Sequence, residues 1–221
     1  MLAAFGRVLT QKLQGTPFAE VAAPALERGE GLVEGTRLVT SSGWCPVEEL
    51  IEGDMVLTFD RGMQRIIELH RQTLLVSDGT CASHLQPLHV PAGSIGNTGD
   101  AWILQDQGIL VESDGAEALF DDPFSLLPGK ALNGLRGIAR KVPAGDMQII
   151  SLRFKRDEIV VADLGAQFYC PKEAEPLSDG GGDPHYRMLG RDEAELIVGF
   201  LELEGSRRVM VDLEAEIGAV A

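Results

Sequence analysis

Between residues 31 and 171 the hydrophobic positions come in short runs, each broken after a few residues by Gly, Pro or Asp. Arg37-Leu38-Val39-Thr40, Met55-Val56-Leu57-Thr58 and Arg65-Ile66-Ile67-Glu68-Leu69 are apolar or alternating, and Gly43, Gly53-Asp54 and Asp60-Arg61-Gly62 separate them. Trp102-Ile103-Leu104, Ile109-Leu110-Val111, Met147 to Phe154 and Glu158 to Ala162 continue the pattern. Strand side chains alternate between two faces, and Gly, Pro and Asp supply the tight turns, so this stretch predicts short β-strands. Helical periodicity is weak here, with a single helical turn expected at Val47 to Leu50.

The two ends follow another rule. Leu2, Phe5, Leu9 and Leu13 recur at helical spacing and predict a short amphipathic helix packed on the domain. Thr16-Pro17 offers a capping hydroxyl and then a proline suited to the first helical position; Pro24 and Gly29 end that second helix. Toward the C-terminus, Ser178 to Pro184 reads as a flexible linker. Asp192 with Glu195 resembles a capping box, and Leu196, Ile197, Phe200 and Leu201 follow at one-face spacing, which predicts a short helix. Val209-Met210-Val211 is expected to add a strand. The predicted layout is a helical extension over 1–30, a β domain over 31–171 and an acidic, peripheral extension over 172–221.

Composition refines this picture. The apolar fraction of 44% is enough for a core, and the aromatic fraction of 5% makes that core one of Val, Leu, Ile and Ala. A net charge of −15 repels phosphate backbones and anionic membranes, so the expected partner is a protein or peptide, with no nucleic acid and no membrane. Residues 172–221 hold twelve acidic and five basic side chains, close to half of the excess charge. No apolar run is long enough to span a bilayer, and Met1 to Leu13 lacks the apolar stretch of a secretory signal. Cys45, Cys81 and Cys170 are too few and too far apart for a disulfide framework. Together these features predict a cytoplasmic protein.

Candidate chemistry is sparse. Cys81, His84 and His89 have gaps that could seed a zinc site with Cys170 or Asp78, against the plainer reading of a surface loop. Cys45, in a turn before Pro46, is either a nucleophile or a half-buried structural thiol. Thr36, Thr40, Ser41 and Ser42 have no histidine near them in sequence, and His70 and His185 read as surface residues. Asp121-Asp122 and Asp179 to Asp183 lack a calcium-loop pattern, and no glycine-rich phosphate loop is present. Neither a metal nor a cofactor is expected.

From Gly31 the chain resembles the hedgehog/intein (Hint) domains of the bacterial kind. Gly35-Thr36, Pro46-Val47-Glu48-Glu49-Leu50, Gly53-Asp54 and Val56-Leu57-Thr58 stand in the family's opening register. Pro87 to Gly96, Leu126 to Leu132, Arg156 to Leu164 and Phe168-Tyr169-Cys170-Pro171 resemble later family segments in the same order. The resemblance covers residues 31 to 171 and implies an all-β, horseshoe-like Hint fold. It also implies a reaction. A first cysteine attacks the carbonyl before it and turns an amide into a thioester, while a Thr and a His of a second motif polarise that peptide bond and move protons.

The chemical positions depart from the pattern. Gly31 stands at the cysteine position and has no side chain to attack with; Glu30 and Leu32 offer no substitute. In the second motif, Trp102 to Gly108, Gln105 takes the place of Ser or Thr and Gly108 that of the histidine. Asp157 replaces a histidine before the closing strand. The resemblance therefore implies a degenerate Hint domain without self-cleavage, binding a protein or peptide in its old cleft. Two alternatives remain: autoprocessing through another nucleophile such as Cys45 or a nearby Ser or Thr, and an interaction protein acting through its acidic tail. Gly31, Gly108 and Asp157 are expected to converge on one open cleft poor in polar side chains, with no thiol–imidazole pair.

Overall fold

The structure is a computed structural model that describes residues 29–172 and 186–220. The N-terminal helices, the Ser178 to Pro184 linker and His185 lie outside these residues.

The described chain begins with β1 (Leu32–Val33), β2 (Arg37–Thr40), β3 (Gly43–Pro46), β4 (Met55–Thr58) and β5 (Gly62–Arg65). β6 (Glu68–Leu74), β7 (Leu88–Val90), β8 (Ala101–Ile103) and β9 (Gly108–Glu112) follow. A helix, α1 (Asp114–Phe120), precedes β10 (Phe124–Pro128), β11 (Ala139–Arg140), β12 (Met147–Arg153), β13 (Glu158–Val161) and β14 (Gln167–Cys170). A longer helix, α2 (Arg191–Val220), closes the described chain. The architecture is mainly β, as the short apolar runs predict, and Val47 to Glu49 forms the expected single turn of 3₁₀ helix.

The strands make two antiparallel sheets. One has the order β11-β7-β8-β1-β12-β6; the other runs β10-β9-β14-β13-β4-β2-β3, with β5 also paired to β4. Sequence boundaries hold for β2 and β4. The run Arg65 to Leu69 does not form one strand: Arg65 ends β5 in one sheet and Glu68 starts β6 in the other. Ile66 is the crossing point. Its carbonyl accepts from Gly53 and its amide donates to Asp54, and then the Ile67 amide donates to Arg153 on the other sheet. The side chain of Ile66 is buried at the crossing, so an apolar run also arises where a chain passes between sheets.

The core is aliphatic, as composition predicts. Leu32, Ile103 and Ile150 from one sheet meet Val56, Ile109 and Val160 from the other in one buried cluster. Each such side chain stabilises the fold by about 1.5–3 kcal/mol relative to exposure. Phe154 is the one aromatic among the largest fully buried side chains.

Residues 189–201 of the C-terminal segment are not peripheral. Leu189, Ala194, Ile197 and Leu201 belong to the same core cluster. Of the residues expected to share that face, Leu196 does not, being 57% exposed, while Phe200 is partly buried against the same cluster and over Gly115 of α1. A Cβ at Gly115 would lie 2.2 Å from the Phe200 ring, so the two helices approach this closely only because residue 115 is glycine. Glu204 accepts from the Ser113 hydroxyl at 2.8 Å and from the Gly115 amide at 3.2 Å, capping α1 with a negative charge. The Arg136 guanidinium donates to the carbonyls of Ser94 and Leu201, tying α2 to the loops of the β domain. The capping box expected at Asp192 is displaced: α2 starts at Arg191, and Glu193 reaches back to the Gly190 amide at 3.1 Å. Val209 to Val211 continues that helix rather than forming a strand.

Candidate functional site

The candidate site forms where the chain enters the first sheet. Leu32 and Val33 pair with Ile150 and Ile149 of β12, and Leu32 also pairs with Ile103 of β8. This register sets the preceding residue, Gly31, beside β12 and the β8–β9 turn. Gly31 has φ +128, a conformation that favours glycine. A Cβ there would lie 2.6 Å from Ile149 Cγ2 and 3.1 Å from Ser151 Oγ. Backbone and packing together exclude a side chain at residue 31.

The amide of Gly31 is buried, so it needs an acceptor. It donates to Gln107 Oε1 at 2.8 Å. Gln107 Nε2 in turn donates to the carbonyl of Tyr169 at 2.8 Å and to its neighbour Gly108 at 3.0 Å. These partners fix the orientation of the side-chain amide, since an N–H requires the oxygen and two carbonyls require the nitrogen. One glutamine thus joins the entry of β1, the start of β9 and β14. A second stitch lies outside it: the Asp106 amide donates to the carbonyl of Gly29 at 3.0 Å, and the Asp106 carboxylate pairs with Lys130 at 2.6 Å.

The four positions singled out by sequence separate into three groups. Gly31 and Gly108 line one cavity. Asp157 does not line it but sits behind Tyr169, which does: its carboxylate accepts from the Tyr169 hydroxyl and, at 2.8 Å, from the Lys172 amide. Gln105 belongs elsewhere, because its Nε2 donates to the carbonyls of Ser83 and Gln86, each at 2.9 Å. Gly108 also lacks room for a side chain, since a Cβ would lie 2.7 Å from Tyr169 Cβ and 2.8 Å from Met188 Cε. The side chain that meets the Gly31 amide is Gln107, one residue before the glycine assigned to the histidine position. A buried glutamine among Leu104, Ile109 and Leu110 is the signal that points to it in the sequence.

The cleft also differs from the expected open, apolar one. About 40 Å³ of it admits a water-sized sphere, room for a few ordered waters and not for a peptide. Its lining includes Glu30, Asp106, Gln107, Ser151, Tyr169 and Cys170. Ser151 comes from β12 and Tyr169 and Cys170 from β14 of the second sheet, contributions a local motif does not contain, while Glu30, Asp106 and Gln107 come from the chain entry and the β8–β9 turn. Cys170 brings a thiol into the lining, and no histidine is among the described residues that line it. Burial pushes the Cys170 thiol up to about 12, so it carries its proton near neutral pH and is a poor nucleophile. Burial raises the Tyr169 phenol as well, helped by the charge of Asp157 and the hydrogen bond to it. Ser151 Oγ is buried without a hydrogen-bond partner and faces the space where a side chain at residue 31 would begin.

The other candidates lie apart. Cys45 is in strand β3, not in a turn, and its Sγ contacts the Pro46 carbonyl at 3.5 Å. Its thiol is raised by burial and then by Glu49, Asp54 and Glu48. His89 lies against Asp100 at 3.1 Å and Lys141 at 3.1 Å, with its ring edge-on to Trp102. Among the described residues no three His, Cys, Asp or Glu side chains gather as a metal-holding group, so Cys81, His84 and His89 do not form the zinc site their spacing allowed. No helix among the described residues is long and apolar enough to cross a membrane.

A family model described as Hint domain matches residues 31–168. No curated protein matches the sequence. Among solved structures, the solution structure of a bacterial intein-like domain from Clostridium thermocellum is 12% identical, with a TM-score of 0.45 over 63% of this chain and 98% of that one. The gp41-1 intein is 10% identical, with a TM-score of 0.40 over 62% of this chain and 97% of its own. The MchDnaB-1 intein is 14% identical, with a TM-score of 0.39 over 63% and 98%.

Proposed function

The chain belongs to the Hint domain family, and on that premise we propose that this member does not cleave itself and serves as a non-catalytic module for binding a protein or peptide. The observation that carries this reading is the Gly31 amide, held by Gln107 at a residue with neither a side chain nor room for one. Acyl transfer at this point requires a thiolate or hydroxyl, a base to activate it and a donor that polarises the carbonyl of residue 30. Gly31 supplies no nucleophile. Gln107 presents an amide oxygen to the peptide nitrogen and does not titrate, so it can hold the bond but cannot shuttle a proton to it.

Autoprocessing through another nucleophile has less support. Ser151 and Cys170 line the junction cavity, and no histidine is among the described residues that line it. Cys45 is outside the cavity lining altogether. The small volume of the cleft also argues that a bound protein or peptide sits on another surface. Intact mass of the purified chain, followed over days with and without dithiothreitol, tests the reading. The expected result is a single unchanged mass; a fragment ending at Glu30 overturns it.

A further inference from the structure

A larger space lies next to the closed junction. A groove of about 630 Å³, within the size range of ligand pockets, has aromatic walls from Phe59, Phe120 and Phe124. Phe59 and Phe124 stack edge-on with ring centres 5.0 Å apart. Phe59 and Phe120 are 37% and 38% exposed, and Leu119 beside them is 50% exposed. Bulky apolar side chains left this open mark a contact surface. Ser125 Oγ, buried and without a hydrogen-bond partner, is part of the lining, and the carboxylates of Asp60 and Asp122 are exposed at it.

We propose that this groove is the docking site of the chain's own amphipathic segment, residues 2–13, with Leu2, Phe5, Leu9 and Leu13 laid on the phenylalanines. The proposal rests on the non-cleaving reading, since only an intact Glu30–Gly31 bond keeps that segment attached. Position supports it. The described chain starts at Gly29, bound to Asp106 at the junction, and Leu126 and Met188 separate junction from groove: both crowd the Cβ position of Gly108, and Leu126 also lines the groove. Residues 14–28 are long enough to bridge this gap, at roughly 3.3 Å per extended residue. Charge supports it too. Residues 1–13 carry Arg7 and Lys12 and no acidic side chain, opposite in sign to Asp60 and Asp122, while the one cation of the described lining, Arg187, is paired with Glu193. Residues 173–185 precede Tyr186, which lines the groove, but they carry Glu173, Glu175, Asp179 and Asp183, whose charge has the same sign as Asp60 and Asp122. Tethering adds a high effective concentration, so modest apolar contact suffices to keep the groove filled.

Limited trypsin digestion of the full chain, read by mass, tests this. Docking shields Arg7 and Lys12. The expected result is that Phe120→Asp, at an exposed position, and Phe5→Asp, outside the described fold, each speed cleavage at these two residues by about tenfold or more. The protection in the unmodified chain should not depend on protein concentration. Equal cleavage rates in the unmodified chain and both variants overturn the proposal. Protection that grows with protein concentration overturns it in favour of a second copy as occupant. Failure of the underlying reading shows separately, as a fragment ending at Glu30 without added protease.

Discussion

Gly31 and Gln107, 76 positions apart in the chain, share a buried hydrogen bond of 2.8 Å where the chain enters β1. The bond is one of three made by a single side-chain amide, and the other two reach the carbonyls of Gly108 and Tyr169. Gln107 is 3% exposed, so water does not substitute for it. Gln107 acts as a structural joint between the entry of β1, the start of β9 and β14.

Gln107→Leu should therefore destabilise the domain by about 3 kcal/mol, because it leaves a buried amide and two carbonyls without their partner. Gln107→Glu should also destabilise, since a carboxylate accepts from Gly31 but cannot donate to either carbonyl. Urea unfolding of both variants checks this. Stability within about 0.5 kcal/mol of the unmodified chain would show that the three bonds contribute little.

Gly31→Cys should restore no cleavage. The new Cβ meets Ile149 Cγ2, the backbone is held at a φ that side chains avoid, and no histidine is among the described residues that line the cavity. Strain of this kind costs about 1–3 kcal/mol, and Gly31→Ala should show the same loss, which separates the steric effect from thiol chemistry. Rapid hydroxylamine-sensitive thioester formation in the cysteine variant would show a working site.

Cys170 links stability to alkaline pH. Its folded thiol is raised from 9.0 to about 12, so the stability it contributes is fully present below about pH 9 and is lost as pH rises toward 12. Urea midpoints of chains with Cys170 and with Cys170→Ala, taken from pH 8 upward, should converge as pH increases. Because the Cys170 charge also raises the neighbouring Tyr169 phenol, both proteins carry Tyr169→Phe, so that their difference isolates the thiol. Parallel pH profiles would mean that the thiol is not the group lost.

Helix α2 should prove part of the core. Ile197→Ala removes a fully buried side chain and should lower stability by about 2–4 kcal/mol, whereas Leu196→Ala, at a largely exposed position, should change it by less than about 0.5 kcal/mol. Thermal unfolding distinguishes the two. Equal effects would place the extension outside the cooperative unit.

The sequence by itself determined strands such as β2 and β4 and the lack of a side chain at Gly31. Those properties are local: a strand is set by alternation over a few residues between turn formers, and a glycine at position 31 has no side chain in any fold. Runs such as Arg37 to Thr40 and Met55 to Thr58 therefore read directly as β2 and β4. Tertiary structure decided the rest, because each remaining feature depends on residues far apart in the chain. The run Arg65 to Leu69 looks like one strand until Arg153 on another sheet takes the Ile67 amide. Ile197 and Leu196 are neighbours of equal hydrophobicity, and only the packing of α2 on the β domain buries the first and exposes the second. Gln107 and Gly108 differ by one position, less than a motif alignment resolves. Which of them meets Gly31 was set by the hydrogen-bonding needs of a buried amide and two buried carbonyls, brought together when both sheets closed around them.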